Sequence, residues 1–123
     1  MPMFGVKKTI ALTTDASGDC TAYSDAVNGR ILGIIYTKVD FDNGVDFTIT
    51  LNTSGEAILT LTNQNVAAVF YPRVGVHDAV GAAATLDGTR LLRDPVFAVD
   101  DKVKCVVAQG GNVKTGTITV IVG

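Results

Sequence analysis

The sequence is poor in the residues that most enzyme chemistry uses. It contains no tryptophan, one histidine (His77), one glutamate (Glu56), two cysteines and three prolines in 123 residues. A lone histidine and two distant cysteines, Cys20 and Cys105, do not make an ordinary zinc site, and there is no CxxC. No GxSxG or comparable nucleophile setting accompanies His77-Asp78, so a hydrolytic triad has nothing to build on. Glu56 falls in the turn "TSGE", and Asp100-Asp101 reads as a turn between two strands. Neither forms a carboxylate pair for acid–base work. These absences exclude the common enzyme classes and leave no expected catalytic residue, metal or cofactor.

Charge is also scarce. Charged residues make up 18% of the chain, net charge is −2 and mean hydropathy is +0.35. The usual charged share is about 25%. Without clustered cations, direct nucleic-acid binding is not expected. No apolar run approaches the length of a membrane span, and the N-terminus "MPMFGVKKTIALTTDASGD" lacks the apolar core of a signal peptide. Synthesis in a cytoplasm is expected, with both cysteines as small buried hydrophobes in a reducing compartment. The sequence leaves a single bridge between them open. So few charges leave neutral surface for a partner chain to cover.

What is present is a run of short β segments. "VDFTITLN" (45–52) alternates, with Val45, Phe47, Ile49 and Leu51 on one side, as a half-buried antiparallel strand does. Further strand segments occur at 6–14, 20–27, 57–63, 101–108 and 115–123, with 30–39 apolar on both faces as a central buried strand and 66–72 a short apolar run stopped by Pro72. Residues 73–80 continue past a bend. Asn28-Gly29 and Asn43-Gly44 are hairpin signals. Residues 81–90 are a loop by Gly81, Asp87 and Gly88, although Ala82–Ala84 allow a helical turn. Residues 91–99, broken by Pro95, read as an edge strand or bulge. The spacing predicts an all-β antiparallel sandwich, jelly-roll-like, of about eight or nine short strands. An arm is expected at 1–8 and a single domain at 9–123.

Two motifs carry possible chemistry. "QGGNVKTG" (109–116) places Lys114-Thr115 before Gly116 and runs into a strand, so it is not a P-loop. It reads as a hairpin tip joining the last two strands. "DFDNGVD" (40–46) offers Asp40, Asp42 and Asp46, but its glycine comes one position too early for an EF-hand loop, and position 50 is Thr. An Asx-type turn is expected there.

The segments "YPRVGVHD", with Tyr71, Pro72, Arg73, His77 and Asp78, and "VAQGG" (107–111) resemble small β-rich virion proteins of tailed bacteriophages. The type is that of capsid decoration, or cement, proteins, and the resemblance covers about residues 8–122. It implies a non-enzymatic virion structural protein, made in the host cytoplasm. Such a protein sits on the capsid exterior as a homotrimer and stabilises the lattice of the major capsid protein. Expected partner contacts are Met3 and Phe4 in the arm, Val66, Val69, Phe70 and Tyr71 in the apolar stretch, and Leu91 and Leu92 in the irregular segment. Alternatives are another virion component, such as a head–tail connector or a tail- or fibre-associated module, and a carbohydrate or cell-surface binding module. The absence of Trp and the presence of only three Tyr count against the last.

Overall fold

The computed structural model describes residues 5–123, so the expected contacts Met3 and Phe4 lie outside the described residues. The chain is all-β, with no helix among those residues. Its strands are β1 (Val6–Thr13), β2 (Cys20–Lys38), β3 (Asp46–Leu51), β4 (Ala57–Leu61) and β5 (Ala68–Phe70), then β6 (Val74–Gly75), β7 (Arg93–Asp94), β8 (Val96–Ala108) and β9 (Thr115–Val122). β1 pairs with β9 from Val6↔Val122 to Thr13↔Thr115, so residues 6–8 of the expected arm belong to the sheet.

The largest departure from the sequence reading is β2. Asn28-Gly29, expected to turn a hairpin, lies inside one continuous 19-residue strand. Between the pairs Val27↔Asp101 and Gly29↔Ala98, Asn28 alone faces both Val99 and Asp100. Its side-chain carbonyl accepts the Asp100 N–H at 2.8 Å. Asp100 takes φ 48° and Gly29 φ 124°. The pair therefore serves a β-bulge, where an extra residue bends and twists the ladder. Asp100-Asp101, expected as a turn between strands, is likewise the bulge inside β8. A second bulge opposes Ser24 and Asp25 to Val103. There the Ser24 hydroxyl accepts the Val103 N–H at 3.0 Å and donates to the Asp25 carbonyl at 2.7 Å.

These bulges fold β2 over. Straight, the strand would run about 60 Å. Its first residue, Cys20, faces Val107 at the end of β8, and its last, Lys38, faces Gly116 at the start of β9. The connection between β8 and β9, residues 109–114, spans at most about 25 Å. The two halves of β2 therefore lie in two facing layers. One layer has the order β1, β9, C-terminal half of β2, β5; the other runs N-terminal half of β2, β8, β3, β4. Tyr36 from the first layer meets Phe47 from the second with ring centroids 4.7 Å apart, and Phe41 lies 6.0 Å from Phe47. Around these rings one core of Val, Ile and Leu joins both layers. The result is sandwich-like.

"QGGNVKTG" takes a different role from the expected hairpin tip. β8 and β9 flank β2 on opposite sides and do not pair with each other, so the loop is an arch between layers. Buried Thr14 anchors it. Thr14 donates its N–H to the Lys114 carbonyl at 2.9 Å and its hydroxyl to the Gly111 carbonyl at 2.7 Å, and that hydroxyl accepts the Lys114 N–H at 2.8 Å.

Asp101 ties the opposite end. Its carboxylate accepts N–H groups from Thr53 and Lys102, each at 2.8 Å, and from Ser54 at 3.2 Å. These bonds, that from Thr53 foremost, hold its pKa below the ordinary 3.8 against the opposing effect of burial. A carboxyl whose folded pKa is depressed adds stability above its unfolded pKa and loses it as pH falls through the folded value. Urea midpoints taken from about pH 6 to about pH 3 should fall more steeply for the wild type than for Asp101→Asn. Parallel acid limbs would contradict this role.

Candidate functional site

The candidate catalytic groups do not converge. Asp78 Oδ1 accepts the N–H groups of Val80 and Ala82, each at 3.0 Å, so it caps a turn instead of orienting His77. Asp40 accepts the Thr115 N–H at 2.7 Å, which lowers its pKa, and Asp46 accepts the Asn63 N–H at 2.9 Å. The acidic loop 40–46 thus stitches neighbouring loops together. Among the described residues no group of three or more His, Cys, Asp or Glu is arranged to hold a metal ion.

The two cysteines sit on paired strands, Cys105 opposite Ala22 and Cys20 opposite Val107, and both are free thiols. Cys105 is fully buried, and burial, with Cys20 nearby, pushes its pKa up to about 12. Cys20 is half-buried. An alkylating reagent should therefore modify Cys20 in the folded protein and Cys105 only after denaturation, as read by mass spectrometry. Double modification of the native protein would contradict this.

A different site emerges from strand register. In the layer holding β1, β9, the C-terminal half of β2 and β5, Ile10, Ile118, Val120, Ile34 and Tyr36 point into the core. The alternate residues point outward. Thr9, Thr119, Ile35 and Val69 form one row across all four strands. Ala11, Thr117 and Thr37 form the next, and Lys7, Ile121 and Gly33 the one on the other side. Lys7, at the border, is the only charge in these rows. The opposite face differs. Its rows include Tyr23, Lys104, Thr50 and Ala57, with Lys102 and Asp46 nearby, an ordinary solvated mixture.

At the edge of the uncharged face the chain leaves the body. β5 and β8 both run antiparallel to β2 along one line: Tyr36↔Ala68 to Ile34↔Phe70, then Ile31↔Val96 onward. Only Leu32 and Gly33 separate the two pairings. Residues 71–95 are extruded from this interrupted strand as a finger, and the Arg73 guanidinium donates to the Leu32 carbonyl at 3.2 Å at its base.

Backbone bonds tie the segments of the finger together. Val76 N–H donates to the Leu92 carbonyl (3.1 Å), Leu92 N–H to Ala84 (2.9 Å) and Ala84 N–H to Val76 (2.9 Å), a triangle of three segments. β6 and β7 extend one side of it. An Asp87–Arg90 ion pair at 2.9 Å braces the second turn, and the Arg90 N–H lowers the Asp87 pKa. Almost nothing in the finger is buried. Val80 is 88% exposed, Tyr71 69%, Leu86 68%, Leu91 46% and Leu92 42%. Ordering backbone costs roughly 1–2 kcal/mol per residue, and beyond buried Pro72 and half-buried Val74 at its base the finger has little core to offset it.

The expected contact residues divide accordingly. Val66, Val69, Tyr71, Leu91 and Leu92 are exposed. Phe70 turns inward and packs against the core. The sequence reading took the irregular segment Gly81 to Arg93, which holds Leu86, as a contact element but missed Val80, because a finger without a buried face has no periodicity. It also missed the uncharged face, whose members come from strands far apart in sequence. The residue types alone, Thr and Ile, are those of any strand. Compared with known proteins, the chain matches no family model, and no curated protein matches it either.

Proposed function

We propose that this protein is a non-enzymatic virion structural protein, a capsid decoration protein that binds the outside of a phage head as a homotrimer and braces its major capsid subunits. The observation that carries this reading is the uncharged sheet face continuous with a finger that exposes Tyr71, Val80, Leu86, Leu91 and Leu92. Together they make a surface suited to contact rather than chemistry. The apolar side chains exposed on the finger and at Val69 sum to on the order of 600 Å², at the upper limit of what monomers display. Burial of such area between subunits, with backbone pairing at the open edges of β1 and β4, supplies binding without a ligand pocket. The resemblance of the Tyr71–Asp78 and 107–111 segments to decoration proteins points the same way.

Light scattering of the purified protein and co-sedimentation with expanded heads test the reading. Trimers that sediment with heads, and density spread over the shell in cryo-electron microscopy, are expected. A strict monomer that ignores heads would overturn it. Density confined to the vertex or tail would transfer the protein to a connector or tail role.

A further inference from the structure

We propose that the finger of one copy docks on the uncharged sheet face of a second copy of this chain. The inference rests on the self-association in the reading above and names the surfaces that make it. Three observations carry it. The stretch of the finger that includes its tip, Ala79–Leu86, holds no charged residue between its flanking Asp78 and Asp87, and the row through Thr9, Thr119, Ile35 and Val69 holds none either. A charged partner surface would be desolvated against either one without compensation. The tip is built from Ala and Gly with Val80 and Leu86 projecting, a shape that lies close on a pleated face.

Area argues for the second copy. A four-stranded face of this kind offers on the order of 500 Å², and the finger a similar amount, whereas a stable interface buries about 800 Å² per partner. Neither surface suffices alone. A chain that exchanges both with one neighbour reaches that area in a single interface, and one that gives its finger to one neighbour and its face to another buries about 1,000 Å² over two smaller interfaces. The finger does not cover the face of its own chain: Val80 and Val69 both stay exposed. Two different patches meeting in this way also allow a closed ring of copies.

The test uses the full chain carrying Cys20→Ser, so that buried Cys105 is the only native thiol. One variant adds Val80→Cys at the tip and another Thr37→Cys on the face, and a short bis-maleimide links them. Expected is a tip-to-face cross-link in the mixture, identified by mass spectrometry, and none from either variant alone. Val80→Asp should weaken self-association at least about 10-fold in sedimentation equilibrium, by placing a charge in an apolar contact. Its thermal unfolding as a dilute monomer should match the wild type. An oligomer with tip-to-tip links only, or with no tip-to-face link, overturns the docking and leaves the decoration reading standing. A tip that links only to added heads also overturns it, with the capsid as occupant. A monomer at every concentration overturns the docking together with self-association, and head co-sedimentation then reads capsid binding separately.

Discussion

Replacing Phe47 with Ala should lower the free energy of unfolding by about 3–5 kcal/mol. Phe47 is fully buried on β3 and meets Tyr36 at 4.7 Å and Phe41 at 6.0 Å. These rings come from both layers, so the substitution opens a cavity at the seam. Among the described residues the buried Tyr36 hydroxyl has no hydrogen-bond partner, so the ring is held by packing. Phe47→Leu keeps most of the volume and should lose less. Urea unfolding with an unchanged slope would report the difference as a shift in midpoint. A loss below about 1 kcal/mol for the alanine variant would mean the seam is not the centre of the core.

Gly116→Ala should destabilise by about 1–3 kcal/mol, through overpacking instead of a cavity. Gly116 faces inward on β9, between Leu12 of β1 and Lys38 of β2. A Cβ there would collide with Cε2 of the Phe41 ring and approach its Cδ2 to 2.8 Å. The ring is buried and stacked on Tyr36 at 6.4 Å, so it has little room to move. Trimming the ring should relieve the clash: the double variant Gly116→Ala/Phe41→Leu should lose less than the sum of the two single losses. Gly75 is the control, because a Cβ there meets nothing within 4 Å. Gly75→Ala should stay within about 0.5 kcal/mol of wild type. Strict additivity at 116 and 41 would remove the steric account.

The strands were legible where one face is buried. Val45, Phe47, Ile49 and Leu51 alternate in sequence and are all buried. Turn chemistry was less reliable. Asn28-Gly29, Asp100-Asp101 and "QGGNVKTG" carry the residues that turns need. The same left-handed backbone and side-chain carbonyls also serve bulges and arches. Which of these forms depends on the partner strand, and Asn28 finds Asp100 seventy-two positions away. Of the candidate site, the sequence marked pieces: Val66 to Tyr71 as apolar, 81–93 as irregular. It could not show that 71–95 is one extrusion from a split strand, because only the shared line of β5 and β8 along β2 reveals that. The uncharged face was invisible for the same reason: Thr9 and Thr119 become neighbours only through register.

The folded-over β2 has a consequence for synthesis. Its long-range partners, β8 and β9, lie at positions 96–108 and 115–122. A nascent chain that has emerged only as far as the finger can pair β3 with β4, but β2 has just the three-residue β5 beside it. Neither layer can close until β8 or β9 has emerged to join it, so folding waits on long-range pairing and is slow by the standard of chains with local contacts. A ribosome stalled before β8 would hold out the apolar stretch Ile31–Tyr36 of β2 for chaperones to shield.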